Sequence, residues 1–323
     1  MTLNLPNIDS PTRENVIGEA KAPVSANKRF MGWAIYLAIL CGAFALPLRE
    51  FATFAAGSAV HSYVLLIPFV TVYLIYIRWK HLSRELSSAW GLALLFAAAG
   101  TGALLASLHF TELGQNDYMT LIALSFVCFV IAGIFLFLGS EWAHSAMFPL
   151  FFLAIMIPLP EAAVDFLENA SKEASAEVAN WLFLITGTPF LRSGTDFQLP
   201  GITITVAKEC SGIRSSLVLV ITSILATNMF LRTTWRRVLL VFAVIPLGLL
   251  RNGVRILTIS LLCVHIGPHM INSVIHRRGG PFFFAASLIP LFLLLWWLRR
   301  GEMAAPPRHG DTGKGSKAVS ADA

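Results

Sequence analysis

The feature that most constrains this chain is a succession of apolar runs of bilayer length, separated by short polar stretches in which Lys and Arg are bunched. A helix of roughly 20 mostly apolar residues crosses a hydrocarbon core of about 30 Å and satisfies its own backbone hydrogen bonds on the way. Eight segments meet that description: 30–48, 61–78, 89–108, 119–138, 145–160, 211–231, 238–262 and 281–298, with ends defined to about 2–4 residues. The fifth is the shortest and closes on Pro158 and Pro160. Composition agrees, since 56% of the 323 residues are hydrophobic and only 13% charged, with a mean hydropathy of +0.70, far from the balance of a soluble domain. The expected fold is an all-α polytopic membrane protein of about eight transmembrane helices.

A net charge of +6 and a pI near 9.4 invite a nucleic-acid reading. The positive residues are instead confined to clusters between apolar runs, as topology signals are, and no nucleic-acid partner is expected. Lys21, Lys28 and Arg29, then Arg78, Lys80 and Arg84, then Arg232, Arg236 and Arg237, then Arg299 and Arg300 belong on the cytoplasmic side. The loop 109–118 has Glu112 and Asp117 with no Lys or Arg, and 161–209 opens acidic, so both belong outside; Arg277 and Arg278 run against the scheme. Residues 1–29 read as a disordered cytoplasmic tail, too long and mixed for a signal-peptide n-region. The membrane domain is then 30–298, and 299–323 a polar cytoplasmic tail.

The one long extramembrane stretch, 161–209, precedes the sixth span and reads as an extracytoplasmic cap. From Glu161 to Gly187, apolar positions at Val164, Leu167, Ala174, Val178, Trp181 and Leu182 among acidic and small residues predict an interfacial helix. From Pro189 to Ala207, turn residues at Gly194, Pro200 and Gly201 and the alternation of Ile202 to Val206 predict a short hairpin.

Cys41, Cys128 and Cys263 lie within apolar runs, where a thiol behaves as a small hydrophobe; no spacing suggests a disulfide framework or zinc site. Cys210 differs, because it stands where the polar cap ends and a membrane-length run begins. With the sixth helix starting near it and Ser211 and Gly212 in the first turn, the positive end of the helix dipole favours the thiolate. Arg214, four residues on, adds a cation on the same face. The seventh span carries Arg251, Asn252 and Arg255 on one arc in its outer portion, and buried arginines in a transmembrane helix face a partner or a polar cavity. Histidines 265, 269 and 276 offer proton carriers in the following loop. His265 and His269 have the spacing of a metal pair but lack the Glu of the H-E-x-x-H motif, so neither metal nor cofactor is expected. A nucleophile, a cation and a proton carrier at one membrane face are the set acyl transfer needs.

This ordered set resembles the exosortase/archaeosortase family of membrane cysteine transpeptidases. The resemblance is carried by Cys210-Ser-Gly-Ile-Arg214, by Pro246 to Arg255 with Asn252-x-x-Arg255, and by His276-x-x-Gly279. His61-Ser62-Tyr63, Phe148-Pro149 and Ile157-Pro-Leu-Pro160 are similar to the family as well, so the likeness covers roughly 30–298. It implies that Cys210 attacks a peptide bond near the C-terminus of a secreted protein, Arg255 supports the charged transition state and His276 shuttles the proton. It further implies substrates with a short motif such as PEP, a transmembrane helix and a basic tail, an acceptor of lipid or glycan type that resolves the thioester, and an inner-membrane setting linked to exopolysaccharide production. Arg251 shares the face of Arg255 and is the alternative arginine; His269 is the alternative histidine.

Two other classes remain open on the residues alone. A transporter also places Arg and Asn along its pathway, but predicts matching inverted halves that this chain lacks. An enzyme handling lipid-linked polysaccharide could use the arginines without Cys210. Serine proteolysis within the membrane lacks its nucleophile loop, although Ser211 sits beside Cys210.

Overall fold

The computed structural model describes residues 26–58, 60–83, 85–110, 112–206, 212–272 and 279–304. It is helical apart from one small sheet, as the apolar runs require. The first half comprises α1 (Ala26–Ala43), α2 (Ala45–Gly57), α3 (Ile67–Arg78), α4 (Trp90–His109), α5 (Gln115–Phe137), α6 (Ser140–Ser145) and α7 (Met147–Ala154). The second half comprises α8 (Glu161–Ile185), strands β1 (Leu191–Ser193), β2 (Asp196–Leu199) and β3 (Ile202–Thr205), then α9 (Ile213–Phe230), α10 (Thr234–His265) and α11 (Gly280–Ala304).

Among the described residues six helices are long and apolar enough to cross a membrane, and a seventh crossing is supplied if α1 and α2, bent by 69°, are one span. The expected fifth span, 145–160, is not a single helix. It is broken after α6 and again after Ala154, and α7 alone covers only about 12 Å at 1.5 Å per residue. The chain nevertheless runs back along α5. It leaves the C-terminal end of α5 at Gly139, and near its finish Pro158 and Leu159 carbonyls accept from Thr120 Oγ1 (3.3 Å) and Asn116 Nδ2 (2.8 Å) at the other end. Residues 139–160 therefore run back along α5 as a broken helix.

The basic segments gather at one end of the bundle. Arg29 Nη1 donates to Ser88 Oγ at 3.1 Å and Phe30 meets Trp79 at 5.5 Å between centroids. Arg78 donates to Asn228, and the Glu302 carboxylate accepts from the backbone N–H groups of Arg232 (3.0 Å) and Thr233 (2.7 Å). At the opposite end lies the cap. Helix α8 is amphipathic as expected, and it buries Ser175, Ala176, Ala179 and Phe183. The predicted hairpin is extended by a strand into an antiparallel β1-β2-β3 meander, because both Gly194 (φ 61°) and Gly201 (φ 80°) make tight turns. Phe183, Phe190 and Phe197 form the cap's own core with Leu199, Ile204 and Val206. At the cap surface Arg192 Nη2 donates to Glu177 at 2.6 Å, which holds the Glu177 carboxyl below the usual carboxylate range.

Candidate functional site

The cap end of α9 is organised by Gly212. It is the N-cap of α9 at φ 73°, ψ 8°, a left-handed conformation that residues with a Cβ adopt at a cost of about 1–2 kcal/mol. A Cβ would also lie 2.9 Å from Arg251 Nη2 and 3.0 Å from Asn252 Oδ1. The bare backbone here lets two polar side chains of α10 close against the start of α9.

Arg251 Nη2 donates to the Gly212 carbonyl at 3.0 Å and to Ser216 Oγ at 3.3 Å. The same carbonyl accepts from Ser215 Oγ and from the Ser216 N–H, each at 3.0 Å. Arg251 is 8% exposed and Asn252 1%, so this polar contact between helices is shielded from solvent, where such bonds hold geometry most firmly. Arg255, one turn on, is half-buried on the same side of α10.

Two more glycines make the approach possible. A Cβ on Gly248 would sit 2.9 Å from Ser216 Oγ, and one on Gly253 would meet Val178 Cγ1 at 2.5 Å. Gly248 thus seats α10 on α9, and Gly253 seats it on the cap helix α8. Helix α10, with 32 residues, is about 48 Å long at 1.5 Å per residue, more than a bilayer core requires. Arg251, Asn252 and Arg255 lie about 26–32 Å from its start, at the cap end of the helix.

Of the expected site residues, the structure sets Arg251 and Asn252 of α10 at Gly212, two residues beyond Cys210, with Arg255 one turn further along the same helix. Cys210, Ser211 and His276 lie outside the described residues. One expectation is corrected. The sixth helix starts at Ile213 rather than near Cys210, and Gly212 is outside its first turn, because a left-handed N-cap turns the chain there. Arg214, expected as a cation beside Cys210, is exposed, and its expected partner lies outside the described residues. Ser216 was missed, although Gly212 with Ser216 and Gly248 with Asn252 are i, i+4 pairs that mark one face on each helix. His265 ends α10, and His269 stands in the turn Pro268–Asn272 with its ring against Gly267; both are exposed. Among the described residues no group of three or more His, Cys, Asp or Glu side chains could hold a metal ion.

Chemically, the positive end of α9, Arg251 and Arg255 make this corner of the protein suited to negative charge on a thiolate or an oxyanion. No curated protein and no solved structure matches the chain. The family model for the transmembrane exosortase matches residues 56–293, about three quarters of the sequence and every element from the end of α2 into α11. The chain belongs to the transmembrane exosortase family.

Proposed function

We propose that this protein is a cysteine transpeptidase that cleaves secreted proteins at a C-terminal sorting signal of short motif, transmembrane helix and basic tail. The observation that carries the reading is the gathering of Arg251 and Asn252 on Gly212, two residues after Cys210. A thiol brought to this corner would meet the N-terminus of α9 and the Arg251 guanidinium, surroundings that favour thiolate at neutral pH. The family match supports the same assignment.

In the proposed reaction the Cys210 thiolate adds to the scissile carbonyl carbon, and the carbonyl π electrons move to oxygen. Collapse of the oxyanion expels the amine, which takes a proton from His276, and leaves an acyl thioester on Cys210. An acceptor nucleophile of the envelope then attacks the thioester and gives up its proton to His276, and expulsion of the Cys210 thiolate returns the thiolate and protonated histidine that began the cycle. Arg251, committed to the Gly212 carbonyl and Ser216, is the positioning residue. Arg255, one turn further along the same side, is assigned to the developing oxyanion. The basic end of the bundle faces the cytoplasm and the cap faces outward from the inner membrane, so the peptide bond is cut after secretion.

The test is processing of tripartite-tailed secreted proteins in the native host with wild type and Cys210→Ala, together with mass spectrometry for an acyl adduct on Cys210. Loss of processing in the variant and an adduct on wild type is the expected result. Processing that survives in Cys210→Ala would end the thiol mechanism and favour transport or polysaccharide handling. Ser211→Ala, as a control, retains processing.

A further inference from the structure

At the end of the bundle opposite the candidate site, a cavity of about 490 Å³ opens between α3, α6 and the C-terminal end of α9. The cavity residues Asn228 and Met229 lie near the far end of α9, about 24–26 Å along it from Gly212. The cavity is lined by Arg78, His81, Ser145 and Asn228, with Ile77 and Met229 at its edge. Arg78 is half-buried; it donates to Asn228 and lies 5.3 Å over the Phe148 ring. The cavity has no Asp or Glu among its described lining residues, so the Arg78 guanidinium stands there with no carboxylate in the lining. A cation in such a setting is favoured by an anion.

Depth and surroundings specify which anion. Exposed Tyr76 and Trp79 flank Arg78 in sequence, and such rings mark the level of the headgroups. Ile77 and Met229 are exposed, so the mouth of the cavity continues onto an apolar, membrane-facing surface. A phosphate with hydrocarbon attached matches both features, whereas free phosphate uses only the first. Basic pockets between transmembrane helices on the cytoplasmic side are suited to anionic headgroups for the same reason.

We propose that this cavity binds the phosphate of an anionic phospholipid headgroup, with Arg78 holding its charge and the acyl chains leaving over Ile77 and Met229. The site would brace α3 against α9 on the membrane side away from the chemistry. It rests on the fold and not on the thiol mechanism.

The experiment is native mass spectrometry of the purified full-length protein, titrated separately with phosphatidylglycerol, phosphatidylcholine and inorganic phosphate. Wild type is expected to retain phosphatidylglycerol over phosphatidylcholine, and Arg78→Gln to weaken that retention about fivefold, the effect of one basic residue near a charged headgroup. Asn228→Ala, which removes the partner of Arg78 in the lining, gives a second reading of the same cavity where Arg78→Gln does not fold. Arg49→Gln, an exposed arginine on α2 outside the cavity, controls for total charge and is expected to change nothing. Equal retention of both lipids by wild type would overturn the proposal, as would an unchanged preference in the cavity variants or an equal loss in Arg49→Gln. Inorganic phosphate bound with the same Arg78 dependence, but no lipid preference, would reassign the cavity to a free anion.

Discussion

Buried hydroxyls such as Thr71 and Ser107 in the first half of the chain bond to their own helices, whereas Arg251 at the cap end of α10 reaches across to a neighbour. Thr71 donates to Ile67 O at 2.9 Å and Ser107 to Leu104 O at 2.7 Å. Each bond is local, satisfies a hydroxyl and leaves the packing to Phe, Leu, Ile and Val side chains. Arg251 instead bonds to Gly212 and Ser216 on α9 across glycine contacts. Keeping a guanidinium there costs desolvation that an apolar side chain would avoid. The first half is built for packing and the second to hold charge at a fixed place.

The largest expected break in that contrast is Gly212→Ala. Strain at φ 73° and the collision with Arg251 and Asn252 should lower substrate processing by about 100-fold or more, since a misplacement of about 1 Å has that effect. Gly102→Ala on α4, with nothing within 4 Å of its Cβ, should process normally in the same assay. Next is Gly253→Ala, which drives a methyl into Val178 and separates α10 from the cap. Overpacking of this kind costs about 1–3 kcal/mol, and hydrogen exchange should show α8 losing protection while α3 does not.

Arg251→Ala should destabilise the protein by about 1–2 kcal/mol, the range for hydrogen bonds between transmembrane helices. Ser107→Ala, which removes only a bond to its own helix, should stay below about 0.6 kcal/mol in the same unfolding titration. Equal losses for the two would remove the distinction between the halves. The smallest effect belongs to the cap surface. Because Arg192 depresses the Glu177 carboxyl, its contribution is present above the unfolded carboxylate value and is lost as pH falls through the folded one. Glu177→Gln should therefore melt slightly below wild type at pH 7 and level with it once the carboxyl is protonated. A gap that persists in acid would assign the effect to packing.

Much of this was legible in the sequence, and the misses share one cause. The breaks at Phe44 and Ala146 were not anticipated. Pro47 and Pro149 stand third in α2 and α7, where a missing N–H costs little because the first turn has no intrahelical acceptor for it. Yet Pro246 and Pro290 lie inside α10 and α11, which continue through them. A proline offers the chain the same chemistry in all four places. Neighbouring helices decide whether the freed carbonyl is satisfied in line or the chain turns. In the candidate site, the arc of Arg251, Asn252 and Arg255 followed from helical spacing. The contact of Arg251 with Gly212 did not, because residues 39 apart meet only through the packing of α10 on α9.

The sequence by itself determined the membrane setting, the apolar helices, the amphipathic cap helix and the segregation of basic residues. All of these depend on local composition and period, which act on a segment wherever it sits. Tertiary structure alone decided which arginine is tied to the start of α9, which helices are broken, and that a basic cavity forms between α3 and α9. Those outcomes depend on where glycines allow two backbones to approach, a property of pairs of segments that neither segment carries alone.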